Sequence, residues 1–408
     1  MRISRQSHNS PSASCRPRTV PTRRSLLAGV TLIELMVAIA LGLIVIASVG
    51  YIYLQGRQGF KAQDDFSKLE DDGRFIIEVM SRDIRNARFL GCQRIEDDRP
   101  NDTVGDSVNL RITASHPFFT EVGSAVESSA WLTKGGGNPA NRASAYANIS
   151  YLLRGFENGA GWPASTTLTG RLEPNTDVLM LMKIGAEGRK LSKPPERGET
   201  ALTLEGTNPI PGHTTDGRVA VMVLSSCGGT GAEIIKPDVQ NGGLRFELDN
   251  TLNTSLATGS TAPGIYSSPS PDVMIAPFEP VAYYVSSAAN NPSTNLPSLM
   301  QVGIRTFNAV PSLNGTWDPI GRVVASGVEN MQLRYLVNGA YLTAAEVGAL
   351  GGANEFWPQV RAVEVTLTLV SSNSSARTAA ENQSVQGGQT KTDRYLRKEL
   401  RFVVEVPN

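Results

Sequence analysis

The chain has 408 residues, 40% of them hydrophobic and 19% charged, and its formal net charge is zero. That length supplies one large domain or two ordinary ones with a sizeable core. The charge balance excludes a global attraction to nucleic acid or to an acidic polymer. His8, His116 and His213 are too scattered to suggest a zinc motif, which also lowers the expectation of histidine acid–base chemistry.

The balance is uneven along the chain. Residues 1–29 contain Arg2, Arg5, Arg16, Arg18, Arg23 and Arg24 and no acidic residue, so the remainder is net acidic. A basic head before an acidic body reads as a discarded leader rather than a nucleic-acid arm. From Val30 to Leu54 there are 25 residues with one charge, Glu34. About 20 apolar residues span a bilayer as a helix. The arginines before the run, with no equal cluster just after it, put the N-terminus in the cytoplasm and the rest outside the inner membrane. A plain signal anchor fits this pattern. A twin-arginine export signal on Thr22–Leu27 fits less well, because the apolar run is long and lacks an A-x-A cleavage site.

Beyond Gln55 the apolar residues Phe66, Leu69, Ile76, Ile77, Met80, Ile84 and Ala87 recur at helical spacing. The pattern predicts one helix from about Val30 to about Arg88, roughly 90 Å long. Its first half is apolar all round and its second half is amphipathic. Gly42, Gly50, Gly56 and Gly59 soften the helix without demanding a kink. Glu34 stands out, because a carboxylate inside an apolar helix is costly unless it is paired or neutral.

After Cys92 short β-favouring runs alternate with loops rich in Gly, Pro, Ser, Thr and Asn. The expected strands are Asp177–Ile184, Arg218–Ser225, Val281–Ser286, Val323–Val337, Val360–Val370 and Glu399–Val406. Asp249–Asp272, Ser286–Ser298 and Ser371–Thr392 read as long surface loops. The expected fold class is therefore α+β, a long N-terminal helix packed on a large antiparallel β-rich head. The divisions expected are a leader at 1–29, an apolar half-helix at 30–54, an amphipathic half-helix at 55–90 and the head at 91–408.

With Cys15 in the leader, Cys92 and Cys227 are left, and one pair in an exported protein most simply means one disulfide. The alternative is two free buried thiols. Nucleotide-binding, zinc-protease, redox and serine-hydrolase motifs are missing from the head, so no enzyme, cofactor or metal is expected. The acidic run Glu96, Asp97, Asp98, Asp102 and Asp106 lacks EF-hand spacing and reads as a solvated loop. Tyr283, Tyr284 and Trp317 are expected to pack in the core or at an interface.

Gly29-Val30-Thr31-Leu32-Ile33-Glu34 resembles the cleavage signal of type IV prepilins. The resemblance implies that a prepilin peptidase cuts after Gly29 and methylates Val30, a position where the family usually has Phe. It also implies that Glu34 pairs with the N-terminal ammonium of a neighbouring subunit, an attraction strengthened in a low-dielectric filament core. Four further pieces resemble the PilW family of minor pilins: Asp72–Phe75 through Arg82–Arg85 up to Cys92, the strand from Asp177, Leu224–Cys227 and Gly327–Tyr335.

That family implies a membrane-held minor pilin, with its head in the periplasm before assembly and in an extracellular pilus afterwards. It would help to start assembly near the tip, supporting adhesion and twitching motility. Its partners would be the major pilin, other minor pilins, a large tip adhesin and inner-membrane lipid. A Cys92–Cys227 bridge would tie the helix end to a head strand. A minor pseudopilin of the J type in type II secretion shares the signal and layout. From other classes, the candidates are a tip adhesin or DNA-uptake subunit, against which net acidity argues, and a membrane-anchored periplasmic enzyme.

Overall fold

A single helix, α1 (Leu32–Asn86), takes up 55 residues and almost the whole predicted span. Thr31 starts it: its Oγ1 accepts the Glu34 N–H at 3.3 Å, satisfying one of the free donors of the first turn. The computed structural model describes residues 31–87, 89–90, 93–94, 107–110, 147–148, 153–162, 168, 170–181, 183–195, 200–217, 220, 222–226, 231–235, 237–248, 272–279, 281–291, 295–303, 321–350, 357–372, 381–385 and 389–406. By its contacts the chain divides into two units, Met1–Arg57 and Gln58–Asn408.

In the first unit the described residues are the apolar part of α1. Its large hydrophobic side chains from Leu32 to Leu54 are 53–76% exposed. The Ser48 hydroxyl donates to the Ile44 carbonyl at 2.8 Å, so this polar side chain is satisfied within the helix.

The second unit holds the remainder of α1 and the β-rich head. Leu69, Ile76, Val79, Met80 and Ile84 form a buried stripe on the helix, with Gly73 and Asp83 in line. This stripe shares one core with two antiparallel sheets. The first sheet has five strands, β1 (Leu153–Phe156), β2 (Val178–Leu181), β3 (Val281–Ser286), β4 (Ser298–Gly303) and β5 (Arg322–Ser326), in the order β5-β4-β3-β2-β1. The second has four, β6 (Val328–Val337), β7 (Ala340–Leu342), β8 (Ala362–Val370) and β9 (Arg397–Glu405), in the order β7-β6-β8-β9. Leu179, Tyr283 and Leu299 come to the core from the first sheet, and Leu333, Val365 and Val404 from the second. The two tyrosines behave as expected, since Tyr283 and Tyr284 are fully buried.

A second core lies under Met222–Ser226, Val273–Pro277 and the three-stranded sheet of Ala201–Thr203, Asp238–Gln240 and Arg245–Glu247, filled by Leu224, Val239, Phe246 and Ile275. One pairing there is parallel, Gly231–Ile235 with Ser107–Leu110.

Two sequence expectations need correction. Val323–Val337 is two strands, because Gly327 sits between them at φ +79°. A Cβ at Gly327 would lie 2.5 Å from the Val370 carbonyl oxygen, so the crossing from the first sheet to the second needs glycine. Within Ser371–Thr392, read as a loop, Glu381–Val385 pairs with Gln389–Asp393 as a hairpin. Its polar alternation hid the strands, and ion pairs fasten it: Arg397 holds Asp393 and Glu329, and Lys391 reaches Glu329 at 3.3 Å. In Ser286–Ser298 a 3-10 turn (Ala288–Asn290) and the buried Leu296 join β3 to β4. A short helix, α2 (Ala344–Ala349), opens with a Thr343–Glu346 capping box and gave no clear periodic signal.

Candidate functional site

Each half of α1 is a candidate site by itself, the first as an exposed apolar surface and the second as the attachment to the head. Glu34 lies in the first turn, exposed, where a carboxylate also suits the positive end of the helix dipole. Gly29 and Val30 lie outside the described residues, as do Cys92, Cys227, Trp317 and the acidic run 96–106. The first unit's stretch is long and apolar enough to cross a membrane.

The attachment centres on Asp83, which sits in the helix stripe and is only 2% exposed. Its Oδ1 pairs with Lys183 Nζ, just beyond β2, at 2.7 Å. Its Oδ2 accepts from the Tyr283 hydroxyl of β3 at 2.6 Å and from Gln301 Nε2 of β4 at 2.8 Å. Tyr283 and Gln301 stand opposite one another in the β3–β4 register, so the sheet presents both donors side by side. Burial, with the Asp83 charge beside it, holds the Tyr283 phenol protonated far above its usual range. One carboxylate is thus matched by a cation and two neutral donors, which offset part of the cost of burying its charge.

A second tie lies near the other end of the stripe. Lys398 of β9 pairs with Glu70, and its ammonium stands 4.8 Å from the Phe66 ring centre. The Glu70 carboxyl is held below its usual range by the hydrogen bond from Lys398.

The two sheets are joined by Asp177, 4% exposed, whose Oδ1 accepts the Asn158 N–H at 2.9 Å and whose Oδ2 accepts the Leu333 N–H at 2.8 Å. Burial outweighs those two bonds and pushes its carboxyl up to about 6. Beside it a polar groove of about 390 Å³ is lined by Glu157, Arg334, Glu364, Glu399 and Arg401. Glu364 is already paired with Arg401. Among the described residues no cluster of His, Cys, Asp or Glu is placed to hold a metal ion.

Sequence reasoning found the stripe but missed the roles of Asp83, Lys183 and Gln301. A signal for Asp83 was present: a charged residue falls on the same helical face as Ile76, Met80 and Ala87. Nothing local marked its partners, which lie 100, 200 and 218 residues away.

No curated protein and no solved structure matches the chain. Residues 282–408, which carry Tyr283, Gln301 and Lys398, match the family model PilW, type IV pilus-assembly protein W, and this last third of the chain is similar to that family.

Proposed function

We propose that the chain is a minor subunit of a type IV pilus that helps to start assembly near the tip. The observation that carries this reading is an exposed apolar half-helix in a chain whose last third, within the head, matches the pilus-assembly family. The apolar half is held in the inner membrane before assembly and in the filament core afterwards, since it presents hydrophobic surface on every side. The head faces the periplasm and later the outside. Prepilin peptidase cuts after Gly29 and methylates Val30, and Glu34 meets the ammonium of a neighbouring subunit. Cys92 and Cys227 form a disulfide. The protein acts by assembly, without enzymatic chemistry, and its partners are the major pilin, other minor pilins and a tip adhesin. Adhesion and twitching follow from the filament it helps to make.

The test is the intact mass of the purified chain, reduced and non-reduced, from cells with and without prepilin peptidase. Peptidase-dependent loss of residues 1–29 with gain of one methyl group is expected. Reduction is expected to add two hydrogens. An uncut chain would sink the pilin reading and leave a signal anchor. In a strain lacking the gene, surface pili should fall and be restored by the wild-type chain but not by Glu34→Ala.

A further inference from the structure

We propose that Lys183 and Asp83 condense to an amide, an isopeptide bond that fastens α1 to the head. The Lys183 ammonium lies 2.7 Å from Asp83 Oδ1, and the two side chains are only 15% and 3% exposed. An amine and a carboxyl held in contact have a large effective concentration, and fixed contact removes most of the entropic barrier to their joining. The arrangement around the second oxygen separates this pair from an ordinary buried ion pair. As nitrogen adds to the carboxyl carbon, negative charge gathers on Oδ2. Two fixed donors already point there, the Tyr283 hydroxyl at 2.6 Å and Gln301 Nε2 at 2.8 Å. Preorganised donors at a developing oxyanion stabilise the addition step.

The step balances without any outside reagent. Lys183 yields a proton to Asp83 Oδ1 across their 2.7 Å contact, and the freed lone pair forms a bond from Nζ to Asp83 Cγ. A second proton leaves Nζ for the same oxygen, and the Cγ–Oδ1 bond breaks to release water. The amide keeps one N–H, and nothing is oxidised or reduced. Loss of both charges from a nearly dry site favours the product, because each buried ion otherwise carries a desolvation penalty. The bond does not depend on the pilus reading, since it rests on the packing of α1 against the head and on nothing outside the chain.

The experiment is protease digestion and mass spectrometry of the purified full-length chain. The peptide holding Asp83 is expected joined to the peptide holding Lys183, lighter than the two together by one water. Lys183→Arg keeps the positive charge and should give two separate peptides. Tyr283→Phe keeps the ion pair and should slow linkage by roughly 100-fold, as expected for loss of an oxyanion donor. Wild-type chain yielding both peptides unlinked overturns the proposal, and this arm does not depend on whether any variant folds. Linkage in Tyr283→Phe at the wild-type rate overturns the part given to Tyr283.

Discussion

The two halves of α1 share one backbone geometry and opposite surroundings. From Leu32 to Leu54 the large side chains stand exposed on every side, whereas Leu69, Ile76, Met80 and Ile84 are at most 4% exposed on one side only. Helix propensity does not separate them; the distribution of apolar residues around the axis does. A helix that is apolar all round requires an apolar medium, and a striped helix requires one wall. The comparison teaches that where apolar residues fall around a helix tells what must surround it.

The comparison breaks most sharply at Asp83. Asp83→Ala removes any link to Lys183 and leaves that cation buried without its carboxylate, so it should destabilise the head by at least about 3–5 kcal/mol in urea unfolding. Next comes the stripe: Ile76→Ala, at a fully buried position, should cost about 2–5 kcal/mol by the same measurement. Its control is Leu41→Ala in the other half, which should leave head unfolding unchanged while weakening retention by membranes. An equal loss from both would erase the distinction between the halves.

A smaller effect tests the joint between the sheets. The Asp177 carboxyl is raised to about 6 in the fold from an ordinary 3.8, so the folded head binds the proton more tightly than the unfolded chain. Stability should therefore rise as pH falls from 7 through 6 towards 4, by at most about 3 kcal/mol from this group. Thermal unfolding across that range should show the slope, and Asp177→Asn should flatten it. A wild-type slope of the opposite sign would mean that the two N–H bonds to Asp177 outweigh its burial. Smallest of all, Lys398→Ala should lower the unfolding midpoint slightly, and less in high salt, because its pairing with Glu70 is partly exposed.

Much of the fold was legible where one physical signal dominated. Val281–Ser286 emerged with its predicted bounds because all but its last residue are apolar or aromatic and the strand is buried on both sides. Val360–Val370 and Glu399–Val406 shifted by only one or two residues. The split at Gly327 depended on where the Val370 carbonyl would lie, which no local pattern carries. Glu381–Val385 and Gln389–Asp393 are built from amide, hydroxyl and charged residues, so they showed no apolar period, and the ions that hold them come from β6 and β9. At the site, Glu34 was visible as a charge in an apolar run. Asp83 was visible only as an exception in a stripe, and its meaning rested on strands far along the chain.

The tie between Glu70 and Lys398 joins residues 328 positions apart. At synthesis rates of about 5–20 residues per second, roughly 15–65 s separate the appearance of the two. Through that interval the apolar stripe has been made while β9, one of its walls, has not. Contacts this distant in sequence also close slowly once both ends exist. The stripe therefore calls for a holding partner until the last strand arrives, and a chain stopped before Arg397 should be cleared or aggregate rather than wait.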